Sequence, residues 1–472
     1  MILKFKIFYF FVFILVLFFL QEFSILLGNF VIPFYFVGCI LFLLLYLLFQ
    51  RKNFLSSINL FIKTKTGVFY SLFIIWVLIG IMFSIPKGTF IPISFFKNFI
   101  GNFFCSIFLP FLISMTFFAK YKNIKKINKL FLIIYFIIML LGIIEYIGTL
   151  YDVSIIKGLF SILVNKISQI SGKERVFVQA FGLPRISSVF QEPGEFASFI
   201  FISFPIIYML SMSSQRILKN ELVDLIIKKG LLFLTLVNMI GTQSPINLVF
   251  IGIFFSIALL KKFLSLNIKR KIITVVSFSL ILSVSLTMFA GHNFSENYLI
   301  RIVNVAKNLT NVTEIFYVEQ SLATRIGNYA AEFNVGKNNP ICGVGYGNIN
   351  SQWAKEILSL KMPITDELYI YATTTKSQSG GGSYLFKLIG ETGFIGTILF
   401  YLFLLNMYLT SKKVGKKCKT KFMYNINNSF NLSLLLYILT SFYVTLLPIY
   451  CVYFGVVEAI NLQYLKSKKM IK

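Results

Sequence analysis

The chain has 472 residues, 57% hydrophobic and only 13% charged, with a formal net charge of +28. Soluble domains are about 45–50% apolar and about 25% charged, so this composition excludes a string of soluble domains. It points to one all-α polytopic membrane bundle, whose positive charge fits lysines flanking membrane helices better than nucleic-acid binding.

The N-terminal stretch "MILKFKIFYFFVFILVLFFLQEF" has basic flanks and an apolar core. A secretory signal would need a small-residue cleavage site after that core, and "QEFSILLGNF" follows instead, so a retained first helix is expected. In chain order, about twelve apolar spans are expected, near 7–27, 30–49, 67–85, 99–119, 130–150, 195–213, 230–243, 246–260, 272–290, 384–409, 429–446 and 449–465. "TQSPIN" turns the chain between the short seventh and eighth, because Pro245 cannot continue a helix interior. Pro448 marks a similar turn between the last two.

Charge sets the orientation. With the N-terminus inside, 30 of the 45 Lys and Arg fall on the inner side and 14 on the outer, with Lys387 inside the tenth span. Positive residues favour the cytoplasmic side, so both termini are expected there. Segments 151–194 and 291–383 then lie outside. In the larger one, Tyr298, Ile302, Val305 and Leu309 recur at helical spacing. "SLATRIGNYAAEF" and "SQWAKEILSL" also read as helices, "PICGVGYGN" as a turn and "TTTKSQSGGGS" as a flexible stretch. Cysteines stand at 39, 105, 342, 418 and 451, and only Cys342 falls in a sizeable outer segment, so no disulfide framework is expected.

The glycines of "GVGYG", Gly343, Gly345 and Gly347, are not followed by Lys-Ser/Thr, which rules out a P-loop. Two readings stay open: a tight turn, or a backbone nest whose N–H groups approach an anion. His292 is the one histidine, Asp366–Glu367 is the one acidic pair of the outer loop, and no cysteine pair has ligand spacing, so no metal or other cofactor is expected. No GxSxG elbow supports a serine hydrolase. Ionisable residues inside spans are more telling. Glu22 and Glu145 stand near outer helix ends, where headgroups are in reach; Glu458 lies deeper; Lys387 and Glu391 are four apart and can pair on one helix face.

The stretch "RISSVFQEPGEFASFI", 185–200, leads into an apolar helix. Pro193 suits a first helical turn, and Glu192 and Glu195 suit the positive end of the helix dipole. Arg185 has the wrong sign for that end, and its forked guanidinium matches phosphate oxygens.

With this stretch in view, the chain resembles the O-antigen polymerase and O-antigen ligase superfamily, membrane glycosyltransferases of bacterial surface polysaccharide assembly. "TRIGNYAAEFNVGKNNPICGVGYGN" resembles the family's Arg-containing helix entering a Pro-x-x-Gly-x-Gly turn. "SYLFKLIGETGFIGTILFYLFLL" resembles its Glu-x-Gly helix, and "GTQSPINLVFIGIFF" its turn between two short helices. The resemblance covers residues 130–410. Two positions depart from it. Pro245 stands where the family turn often has arginine, and Gly382 and Ser383 stand where the ligases carry His-Asn.

The resemblance implies a polymerase of polyprenyl-pyrophosphate-linked repeat units on the outer face of the bacterial plasma membrane. It also implies a chain-length regulator and a flippase as partners. Negative charge grows on the leaving pyrophosphate, so fixed cations are needed. Arg185 and Arg325 are the expected catalytic cations, with Arg301 and Arg175 behind them. Glu192 is the expected base or arginine holder, with Glu195 next. Gly343, Gly345, Tyr346, Gly347, Lys387 and Glu391 complete the expected substrate-binding set. The alternatives are a ligase, and a transporter or flippase of the same lipid-linked sugars, although a transporter's polar site belongs near mid-membrane between related halves.

Overall fold

The computed structural model describes residues 16–17, 20, 23–27, 30–84, 99, 103–104, 106–119, 121–164, 179–180, 183–190, 192–211, 221–244, 320–360, 364–373, 383–417 and 421–469. Most of the expected first span, the spans at 246–260 and 272–290, and Glu22, Arg175, Pro245, His292, Arg301, Gly382 and the 298–309 stretch lie outside these residues.

The described chain is dominated by helices, with two short antiparallel hairpins. Strand β1 (Ser24–Leu27) pairs with β2 (Phe30–Pro33), Leu27 facing Phe30. Here the structure departs from the expected first helix, which the apolar run carried to 27. Gly28-Asn29 between two apolar runs is a hairpin signal, and it ends that run early. The second hairpin pairs β3 (Gln179–Ala180) with β4 (Leu183–Pro184).

Helices α1 (Phe34–Ile62), α2 (Lys65–Ser84), α3 (Leu109–Phe118), α4 (Tyr121–Leu150) and α5 (Ser154–Leu163) come first. Helices α6 (Pro193–Ser211) and α7 (Glu221–Gly241) follow. Then come α8 (Gln320–Asn338), α9 (Ile349–Ser359) and α10 (Asp366–Thr373). The last are α11 (Tyr384–Gly415), α12 (Lys421–Thr440) and α13 (Pro448–Lys469). Four of these, α1, α2, the 131–150 part of α4, and α11, are long and apolar enough to cross a membrane. Their outward faces carry Leu44, Leu48, Ile75, Met82, Ile137 and Ile398 exposed, which is the surface of a helix that meets lipid. Helix α1 runs past the expected end at 49 because a kink at Gln50 (φ −134°) absorbs the polar "QRKN" without ending the helix.

Packing forms one large apolar core. Helix α13 lies along α3, α11 along α2, and α12 along α6, while α4 meets α7. Aromatic rings fill much of it: Tyr70 meets Phe111 and Phe403 with centroids 4.9 Å away in each case. A second cluster joins α8, α9 and α10 through Ala331, Val335, Val344, Ile349, Trp353, Ile357, Leu368 and Ala372. Trp353 is fully buried and donates its ring N–H to Asn328 Oδ1. The expected outer segment therefore has a small core of its own, and α8 fastens it to α11.

Candidate functional site

The stretch that opens α6 is built around a buried carboxylate. Glu145, near the end of α4, accepts the Ser187 N–H at 2.9 Å, the Ser187 hydroxyl at 3.0 Å, and the Ser188 N–H. Its expected reach to the headgroups is therefore not observed: the side chain is buried and holds residues 187–188 in place. Ser188 adopts φ 52°, and its hydroxyl donates to the Ile138 carbonyl. On the other side, the segment docks on the end of α7. The Ile186 N–H donates to the Gly241 carbonyl at 2.9 Å, and Arg185 Nε donates to the Thr242 carbonyl at 3.1 Å. A cation suits a helix C-terminus, whose last carbonyls lack intrahelical donors. Arg185 thus has a local structural partner that its position before α6 did not suggest. Helix α6 then starts at Pro193, with the Glu192 carbonyl accepting the N–H groups of Glu195 and Phe196.

Arg325 comes to this same helix start from α8. A Cβ placed on Gly194 would stand 3.3 Å from Arg325 Nη2, a close approach of the guanidinium to the helix start. The guanidinium lies over the Tyr443 ring, 4.6 Å from its centroid. Such stacking holds a planar cation without neutralising it. Tyr443 belongs to the turn between α12 and α13, which also receives the start of α11: Tyr384 N–H donates to the Val444 carbonyl and Leu385 N–H to the Ser441 carbonyl. Ser383 caps α11, accepting the Phe386 N–H at 3.2 Å and donating to the Ser441 carbonyl at 3.3 Å. The structure thus brings Arg325 to the helix start that carries Glu192 and Glu195, beside the N-terminus of α11.

Helix α8 faces α11 along a stripe at residues 325, 329, 332 and 336. Tyr329 stacks on Phe386 with centroids 5.2 Å apart. Burial pushes the Tyr329 hydroxyl well above its usual range, with Arg325 opposing. Next comes Glu332, which no motif in the sequence singles out. It is buried, and its Oε2 has no hydrogen-bond partner among the described residues. Burial pushes its carboxyl well above the usual 4.5; Lys387 pulls it down and Glu391 pushes it further up. Two carboxyls therefore share one neighbourhood with one lysine. Among the described residues no ion pair joins Lys387 to Glu391, so the expected pairing along the helix is not formed. Further along, a Cβ on Gly336 would meet Ile389 Cγ2 at 2.4 Å, which brings the two backbones together.

The glycine turn completes the arrangement. Gly343, Gly345 and Gly347 have φ of 64°, 87° and 87°, which favour glycine. It is a tight turn, and one of its N–H groups is taken up by the protein itself: Gly347 N–H donates to Glu391 Oε1 at 3.2 Å. Val344 N–H donates to the Gly390 carbonyl at 3.0 Å, and Phe394 N–H to the Pro340 carbonyl at 2.9 Å. The last two bonds straddle Gly393, where α11 breaks with φ 68° and ψ −176°. Tyr346 inserts into the core against Phe103, centroids 5.0 Å apart. Burial raises its hydroxyl well above the usual range, and Glu391 adds to this.

Three sequence stretches far apart in the chain, 185–196, 325–347 and 383–394, are therefore linked through Gly194, Arg325 and Glu391. A buried glutamate on an amphipathic helix gives no sequence signal, and Glu332 stands too far along α8 from Arg325 for a side-chain pair. No family model matches the chain, and no curated protein matches it.

Proposed function

We propose that the chain is a membrane glycosyltransferase of the polymerase kind, joining polyprenyl-pyrophosphate-linked oligosaccharide repeat units into O-antigen, capsule or exopolysaccharide. In this reading about twelve helices span the bacterial plasma membrane, both termini are cytoplasmic, and segments 151–194 and 291–383 face outward. The observation that carries it is Arg325 at 3.3 Å from the Cβ position of Gly194, at the start of α6. A fixed guanidinium and the positive end of a helix then face one place, and both favour a pyrophosphate.

The reaction needs little else. A sugar hydroxyl of one unit attacks the anomeric carbon of another. The bond from that carbon to the pyrophosphate oxygen breaks, and its electron pair leaves on the lipid-bound pyrophosphate. Arg325, with Arg185 as the second cation, stabilises the charge that grows there. Glu192, exposed at the threshold of α6, takes the hydroxyl proton or holds an arginine in place, with Glu195 the next candidate base. A chain-length regulator and a flippase belong to the same reading.

Ser383 supports the polymerase over the ligase. It stands where a ligase would carry the Asn of His-Asn, and its hydroxyl is used up in capping α11. The test is purified protein with lipid-linked repeat units, followed by sizing of the lipid-bound glycans. A ladder growing by single repeat units, unaffected by EDTA, is expected. Transfer of preformed glycan to an acceptor with no growth on the carrier would overturn the polymerase, as would flipping of the lipid across vesicles without any new glycosidic bond.

A further inference from the structure

Helix α5 leaves an apolar face uncovered. Ile155 is 83% exposed, Leu159 46% and Ile162 61%, at positions i, i+4 and i+7 of one stripe. A neighbouring arc is anchored on the protein: Ile156 sits against α4, where a Cβ on Gly148 would meet its Cγ2 at 2.3 Å, and Phe160 is fully buried. Ser154, Lys157 and Ser161 take the remaining arc. The helix is thus apolar over about half of its circumference, and only part of that half meets the chain.

The uncovered stripe does not stand alone. On α4, Ile133, Ile137, Leu140, Ile144 and Ile147 are exposed along one face of a helix long and apolar enough to cross a membrane. Tyr151 continues that face, 73% exposed, its N–H still bonded to the Ile147 carbonyl. The chain turns at Asp152 (φ 55°), and the exposed stripe resumes at Ile155. The polar turn carries an ion pair, Lys157 with Asp152. An aromatic and a charged pair at the end of a lipid-facing stripe, followed by an amphipathic helix, is the pattern of a membrane–water boundary.

We propose that α5 is an interfacial helix, lying on the membrane at the end of α4 with Ile155, Leu159 and Ile162 buried at the level where acyl chains meet headgroups. The partner is the lipid bilayer itself. The inference rests on 131–150 as a membrane span, and it stands whether or not the chain is a polymerase. Residues 183–190 follow α5 in the chain and pack on α4 through Glu145.

The test is spin labelling of the full chain in lipid nanodiscs, with the five native cysteines replaced and single cysteines introduced at Ile155, Leu159, Ile162 and Gly158. Collision with oxygen, which concentrates in lipid, is compared with collision with a water-soluble nickel chelate. Oxygen should dominate at the three apolar positions and nickel at Gly158. Nickel dominating at Ile155 and Ile162 would overturn the proposal. So would immobile labels that meet neither agent, since these would mean a second copy or another protein covers the face. Should the cysteine-free chain fail to fold, Ile155→Trp in the otherwise native protein gives the same answer: brominated lipid should quench more of its emission than in the unsubstituted chain, and equal quenching would sink the idea.

Discussion

Glu145 and Glu332 are both glutamates buried in the protein, and they live in opposite surroundings. Glu145 accepts two backbone N–H groups and a hydroxyl from residues 187–188, so its charge is dispersed over donors placed for it. Glu332 has a second carboxyl, Glu391, beside it and an Oε2 with no donor among the described residues. The first arrangement shapes a backbone segment around a carboxylate. The second holds a carboxyl whose proton is favoured by burial and by Glu391, two turns along α8 from the arginine proposed for the chemistry. Burial alone therefore does not say what an acidic residue does here; the donors around it decide.

The largest expected effect lies on the Glu332 side of this comparison. Arg325→Ala should lower polymer formation by about 10²–10³-fold at unchanged protein level, and Arg325→Lys should not restore it, because an ammonium lacks the fork. Near-normal ladders from Arg325→Lys would remove the arginine from the reaction. On the other side, Glu145→Ala should act on stability. It strands three donors, each worth about 1–3 kcal/mol when buried and unmet, so a loss of about 3 kcal/mol or more is expected by thermal melting in detergent. A melt like that of the wild type would mean the carboxylate shapes nothing.

Gly343→Ala should be milder. Its φ is 64° and the new Cβ would start 2.4 Å from the Glu391 carbonyl carbon, so a loss of about 2 kcal/mol is expected. The same measurement checks it. Smallest is the proton on Glu332. Its folded value is raised above 4.5, so the folded chain keeps a proton that the unfolded chain has released. Stability then falls as pH rises from about 4.5 through the raised folded value. Glu332→Gln removes this term: between about pH 5 and pH 8 the variant should lose less melting temperature than the wild type. Parallel curves would show that Glu332 keeps an ordinary carboxyl.

The helical class and the four helices long and apolar enough to cross a membrane could be read from apolar run length, since a long apolar run has few other uses. The starts of α6 and α11 were legible for a similar reason: Pro193 at a first turn and a serine before an apolar helix are local signals. The hairpin at 24–33 lies in a run that satisfies either period, with Gly28-Asn29 as its one local signal. The roles of Glu145 and Glu332 were not legible, because each depends on residues at least 42 positions away in the chain. Arg185 shows the same limit. Its wrong sign for α6 was visible, but the C-terminus of α7 that it serves lies 57 positions away.

The break at Gly393 has a consequence for how the chain is made. Interrupting a helix frees backbone groups that hydrocarbon cannot satisfy. In this chain Pro340 and Val344 meet Phe394 and Gly390 across the break. Both belong to a turn synthesised some fifty residues earlier than the helix it mends. The groups that mend the break are thus already in the growing chain when the broken helix is made.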